Sequence, residues 1–169
     1  DQATVRRALE RAEFVVVQEA FATTATCAYA DLLLPATTWG EKDGTVTNSE
    51  RRISRVRPAV WGSGEARHDW SIATAVAQRL EARLRPGRPS LFAYASAESV
   101  WNEHRESTRG RDLDITGRDY AMLDEAPRRW PFPAGAREGR ARLYEDGHFA
   151  TPDGRARFAD VAFRPVAEA

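Results

Sequence analysis

A chain of 169 residues is long enough for one ordinary domain. Its composition, 42% hydrophobic and 30% charged, suits a folding polypeptide, and no run of 18 or more apolar residues offers a membrane span. Net charge is zero and the pI about 7.1, so nothing announces a nucleic-acid or anionic-membrane partner, and a single cysteine excludes an internal disulfide.

The first residue is not Met, and Val5 to Ala12 reads as the end of a helix feeding directly into a strand. We therefore expect a piece of a longer polypeptide, with any targeting signal lying elsewhere. Phe14-Val15-Val16-Val17 is a short continuous apolar run, as expected of a parallel strand covered on both faces. Thr23 to Ala30 is small and helix-compatible, and Asp31 to Leu34 reads as a second buried strand stopped by Pro35. Strand, short helix and strand in about 20 residues form a βαβ unit, the sign of a doubly wound sheet. The polar segment 40–49 is expected to leave the end of a further short strand, and Ile53 to Arg57 alternate as an exposed strand or hairpin arm does.

From Asp69 the period becomes helical, with Ile72, Val76, Leu80 and Leu84 every four residues and Asp69 placed as an N-cap or first-turn acid. Residues 85–89, Arg-Pro-Gly-Arg-Pro, end that helix. From Pro86 onward the βαβ rhythm is lost, and residues 86–169 hold seven of the nine prolines. Ser96 is expected to cap a helix to about Thr108, and Asp119 to Asp124 to form a shorter one. Residues 127–158 read as extended, turn-rich chain with turns at Asp146-Gly147 and Asp153-Gly154. The fold class is therefore α/β: a partial doubly wound, Rossmann-like αβα unit over 1–85, then an irregular α+β connecting segment over 86–169. The connecting segment has few periodic apolar positions and is expected to wrap over neighbouring domains.

Twenty-four of the 25 basic residues are arginine, and the one lysine is Lys42, flanked by Glu41 and Asp43 and followed by Gly44. A lysine kept against that bias suggests a place that fits an ammonium and not a planar fork. Doubly wound sheets bind nucleotides at the carboxyl ends of their strands. There, Glu19 could accept from ribose hydroxyls, Gln18 could present amide groups, and Lys42 could meet a phosphate or a purine carbonyl. Asp69 could accept from the amino and ring N–H groups of guanine. Each of these four alone equally suits a solvated loop position, and no glycine-rich phosphate loop accompanies them.

Four blocks then point to a family. They are Phe14 to Thr26, Tyr29-Ala30-Asp31-Leu32-Leu33-Leu34-Pro35, Trp39-Gly40-Glu41-Lys42-Asp43-Gly44 through Arg52, and Gly64-Glu65-Ala66-Arg67-His68-Asp69-Trp70. In this order they resemble the molybdopterin oxidoreductases, which include nitrate reductases and formate dehydrogenases. Val100 to Gly117, Trp130-Pro131-Phe132-Pro133, Arg142 to Gly147 and Thr151 to Phe158 resemble bacterial assimilatory nitrate reductase catalytic subunits most. The resemblance implies a molybdenum bis(molybdopterin guanine dinucleotide) cofactor held between α/β domains and a C-terminal β-barrel, and 86–169 would lead toward that barrel. It also implies that Gln18, Glu19, Lys42 and Asp69 match cofactor-binding positions. Many relatives carry aspartate where this chain has Glu19, which places the longer carboxylate's ribose contact in question.

By the same resemblance the molybdenum-ligating side chain and an iron–sulfur cluster lie upstream, so no catalytic or metal-ligating residue is assigned here. Cys27 is expected to be a buried structural thiol, Glu50-Arg51-Arg52 a salt-bridge network, and His68, His104 and His148 structural or surface residues. The implied reaction is reduction of nitrate to nitrite, with electrons from a donor protein or subunit, in a cytoplasmic enzyme without a membrane span. Two alternatives stand beside it: a formate dehydrogenase alpha-type subunit, and the non-catalytic iron–sulfur subunit of NADH–quinone oxidoreductase. The latter usually reads Glu-Gly-Arg where this chain has Glu50-Arg51-Arg52.

Overall fold

The computed structural model describes residues 1–165, and the last four positions of the 86–169 segment lie outside the described residues. Helix α1 (Gln2–Arg11) is capped by Asp1, whose carboxylate accepts from Thr4 N at 3.0 Å and satisfies an otherwise orphaned amide. Strands β1 (Val16–Glu19) and β2 (Leu32–Pro35) pair in parallel, Val16 opposite Leu32 and Glu19 opposite Pro35, joined by a 3₁₀ turn at Ala25–Tyr29. The βαβ unit is thus present, with two corrections. The first strand lies two residues later than the apolar run, because pairing and not apolarity sets its limits, so Gln18 and Glu19 are its last residues. It is also not covered on both faces: Phe14 is 64% exposed and Val16 49% exposed. Ala36 bridges Arg67 in parallel, so the chain entering the next helix continues this sheet's direction.

Strands β3 (Gly44–Thr47) and β4 (Arg52–Val56) form an antiparallel hairpin, and β5 (Arg128–Arg129) adds to the far side of β4. The strand expected ahead of 40–49 lies instead inside that polar segment, as β3. Gly44 opens β3 with φ of 154°, an angle that favours glycine. The central strand β4 buries Ile53, and the sheet joins chain from both sides of position 85.

Helix α2 (Asp69–Leu84) follows the four-residue apolar period. His68 is its N-cap and Asp69 the first helical residue. Of the stripe only Ile72 is buried, while Val76, Leu80 and Leu84 face solvent. Helix α3 (Ala97–Ser107) starts with a reciprocal capping box, Ser99 N to Ser96 Oγ and Ser96 N to Ser99 Oγ, each 3.1 Å. Helix α4 (Tyr120–Glu125) is capped by Asp119, which accepts from Met122 N at 2.8 Å.

Contrary to the sparse apolar pattern of 86–169, the main core cluster sits largely there: Trp101, Ile115, Tyr120 and Leu123 around Ile53, with Trp130 against them. Polar loop contacts position it. Asp114 accepts from Thr116 N, Thr116 Oγ1 and Gly110 N at 2.6–2.8 Å. Burial alone would raise its pKa, but these donors hold it below the usual carboxylate range. Thr116 Oγ1 accepts from Ala134 N at 3.0 Å, and Gly117 N donates to Phe132 O at 3.0 Å. A Cβ at Gly117 would stand 2.6 Å from Pro133 O, so this close crossing requires glycine.

Candidate functional site

The carboxyl ends of β1 and β2 and the Arg67 bridge open on one edge, and three of the four expected site residues meet there. Gln18, on the last turn-out of β1, donates from Nε2 to Asp69 Oδ1 at 2.6 Å. Lys42 Nζ approaches Asp69 Oδ2 at 2.7 Å. The hydrogen bond from Lys42 chiefly, aided by Gln18, holds the Asp69 carboxyl below its ordinary value against a burial effect that would raise it. The first turn of α2 also favours a negative charge at this position. Asp69 keeps 49% of its side chain accessible and Lys42 30%, so the pair by itself contributes at most about 1 kcal/mol. Each carboxylate oxygen has taken one donor and keeps lone-pair capacity for another, which suits recognition of an N–H-rich edge.

Lys42 lies in the loop before β3 and not at the end of an earlier strand. Its acidic neighbours are committed elsewhere. Glu41 Oε2 accepts from Thr38 N at 2.7 Å and Thr38 Oγ1 at 3.0 Å, and Oε1 from Ser63 N at 3.1 Å. Those Thr38 bonds, backbone first, hold Glu41 below the usual range. Asp43 pairs with Arg55 at 2.8 Å. The ammonium is thereby left to Asp69, with the Trp39 ring 5.6 Å from Nζ.

Glu19 does not join this group. Its Oε1 accepts from Ala20 N at 2.7 Å and Phe21 N at 3.3 Å, closing a turn at the end of β1. Sequence reading also missed Glu41 as the residue that shapes the Lys42 loop; its place three residues after Thr38 was the available signal.

The remaining expectations divide. Cys27 is only half-buried, its thiol 3.1 Å from Thr24 Oγ1 in the 3₁₀ turn, which corrects the expected buried position while keeping a structural contact. Glu50 pairs with Arg52 at 2.9 Å and Arg129 at 3.8 Å. Arg51, with φ of 64°, donates to the carbonyls of Trp130, Arg140 and Ala141 and so clamps the 130–141 loop. His68 Nδ1 contacts Thr37 Oγ1 at 3.1 Å, and His104 lies against Trp101. Among the described residues no group of three or more His, Cys, Asp or Glu could hold a metal ion. No described helix is long and apolar enough to cross a membrane.

Residues 1–79 match the sequence profile of the molybdopterin oxidoreductase family. A nitrate reductase of Synechocystis sp. is 38% identical over 174 residues, covering 99% of this chain and 23% of the relative. The assimilatory nitrate reductase catalytic subunit of Bacillus subtilis is 36% identical over 162 residues, covering 95% of this chain and 22% of the relative. The alpha subunit of the F420-dependent formate dehydrogenase of Methanocaldococcus jannaschii is 38% identical over 164 residues, covering 97% and 23%. The chain thus spans under a quarter of the length of these relatives. Acetylene hydratase from Pelobacter acetylenicus superposes with a TM-score of 0.60 at 20% identity over 91% of this chain and 19% of that chain, a likeness of fold.

Proposed function

With residues 1–79 belonging to the molybdopterin oxidoreductase family, we propose that this chain is the part of a molybdenum-dependent nitrate reductase that holds one guanosine end of a molybdopterin guanine dinucleotide. The observation that carries the reading is the convergence of Gln18 and Lys42 on Asp69 at 2.6 and 2.7 Å, at the strand ends where such folds take nucleotides. Asp69 would accept from the amino and ring N–H groups of guanine. Lys42 would fix the carboxylate and add a positive charge within reach of phosphate or carbonyl oxygen. Gln18 would hold Asp69 in rotamer, and Glu19, tied to its own turn, would need to release those amides to reach a ribose. The residues present fit that group: an ionised carboxylate, half-exposed and held by two donors, suits a neutral N–H edge.

The bound cofactor would supply the two-electron redox chemistry. The chain's share is binding and orientation. The iron–sulfur cluster, the molybdenum ligand and the electron-donor protein would belong to the remainder of the enzyme, in a cytoplasmic setting. A formate dehydrogenase is the second reading, favoured by the 38% identity to the alpha subunit from Methanocaldococcus jannaschii. Assay of the full-length enzyme with reduced viologen and nitrate, and with formate and an oxidised dye, separates them. The proposal expects nitrite formation and no formate oxidation; formate-dependent dye reduction without nitrate turnover would reverse the order.

A further inference from the structure

Arg55 lies on β4, opposite Thr45 of β3 in the hairpin register, and its side chain is only 10% exposed. A guanidinium buried to that degree needs partners for its charge and for its N–H groups. It finds them in two parts of the chain. Nη1 donates to Asp43 Oδ1 at 2.8 Å, Gly44 O at 2.7 Å and Val56 O at 3.0 Å. Nε donates to Asp124 Oδ1 at 3.1 Å, and the guanidinium carbon lies 3.7 Å from the centre of the Tyr120 ring. Asp124 and Tyr120 belong to α4, so the 86–169 segment holds one side of Arg55 and the Lys42 loop the other.

Stapling the hairpin to α4 is one consequence of these contacts. Charge supplies another. Asp43 follows Lys42 directly, and it lines the same cavity, of about 290 Å³, as Asp69. The ammonium of Lys42 rides on a flexible four-carbon stem. An uncompensated carboxylate at position 43 would therefore compete with Asp69, now 2.7 Å away, for that ammonium. Two carboxylates sharing one ammonium would leave net negative charge where the site presents a cation. Among the described residues Arg55 is the one ion-pair partner of Asp43, whereas Asp124 also pairs with Arg57 at 2.5 Å. Loss of the Arg55 charge thus frees Asp43 and not Asp124.

We propose that Arg55 is a positioning residue of the Lys42–Asp69 site: by neutralising Asp43 it commits the Lys42 ammonium to Asp69. The assignment stands on the contacts within the chain, and its consequence for cofactor retention rests on the proposed function.

The test uses the full-length protein prepared without cofactor, labelled at one fixed pH with a trace of acetic anhydride. Acetylation at Lys42 is read by mass spectrometry. Only free amine is acylated, and an ammonium held by two carboxylates yields less of it. Arg55→Gln removes the charge and keeps a donor for the carbonyls of Gly44 and Val56. It should slow labelling about threefold, the effect of one added, partly exposed ion pair. Arg55→Gln combined with Asp43→Asn should restore the wild-type rate. Loss of a mere staple would loosen the loop and speed labelling, with nothing for Asp43→Asn to restore. Faster or unchanged labelling in Arg55→Gln, or slowing that Asp43→Asn does not reverse, overturns the proposal. Asp43→Asn alone keeps Arg55 and its α4 contacts, and so serves where Arg55→Gln does not fold. Its Lys42 should label at the wild-type rate; a several-fold rise would show an Asp43 that Arg55 does not neutralise, and would overturn the proposal. Molybdenum per polypeptide in the purified holoenzymes is the second readout, expected to fall several-fold in Arg55→Gln and to recover in the double variant. Slowed labelling with normal molybdenum leaves the assignment of Arg55 standing and overturns the proposed part of Lys42 in holding the cofactor.

Discussion

Separating residues 1–169 from the rest of the enzyme should leave a chain that does not fold cooperatively. Its accessible surface is 12876 Å² for 18.9 kDa. A self-contained monomer of that mass exposes about 8,300 Å², so this chain exposes roughly half as much again. If even half of the excess is apolar, the burial forgone is worth tens of kcal/mol at about 25 cal/mol per Å². Net stabilities are only about 5–15 kcal/mol. The deficit shows in particular residues: Phe14, Phe21, Trp61 and the Val76, Leu80 and Leu84 stripe of α2 all face solvent. Apart from the Arg67 bridge beside Pro35 and Ala36, both edges of the two-stranded β1–β2 sheet are unpaired among the described residues, which invites association. Expression of 1–169 alone, followed by size-exclusion chromatography, dye binding to exposed apolar surface and calorimetry, is the assay. Aggregation or a broad, low-enthalpy transition is expected. A soluble monomer with a sharp melt refutes the reasoning.

Three further outcomes are expected of the full-length enzyme. Lys42→Ala should lower cofactor occupancy or activity about tenfold or more, the loss of a charge-assisted hydrogen bond of about 1.5–3 kcal/mol; wild-type molybdenum content and turnover would remove Lys42 from the site. The folded-state pKa of Asp69 is depressed, so its ionised form contributes fully above the unfolded value of about 3.9. The contribution is lost as pH falls through the lower folded value. Guanosine affinity should therefore be flat from about pH 5 to 8 and fall only below about 4, and a fall beginning near 6 would contradict it. Arg118, 1% exposed, lies over the Phe132 ring, its guanidinium nitrogens have no hydrogen-bond partner among the described residues, and burial brings its pKa down to about 10. Arg118→Met should therefore be neutral or stabilising, by up to about 4 kcal/mol; a clear drop in melting temperature would show that the guanidinium has a counterion.

What the sequence conveyed was mostly local. Ser96 and Asp119 announce α3 and α4 because a cap is a contact between residues three apart, and α2 runs close to its apolar period. Strand limits depend on partners: Phe14 and Val15 read as strand, but pairing with Leu32 to Pro35 places β1 at Val16–Glu19. The core was illegible for a related reason. Ile115 is buried from an irregular loop ordered by Asp114 and Thr116, where no period exists to be read. At the site, family blocks picked out Gln18, Lys42 and Asp69, although the pairs bonded there are 51 and 27 positions apart. Glu19 failed to join because its longer side chain turns back on the amides of Ala20 and Phe21.

The central claim is that the carboxylate of Asp69, held by Gln18 and Lys42, binds the guanine end of the cofactor. Its most direct test is the amount of guanosine monophosphate released by acid from purified full-length Asp69→Asn enzyme, per polypeptide and beside the wild type. The account predicts a fall in guanine nucleotide with the fold intact by circular dichroism; wild-type guanine content in that variant would contradict it.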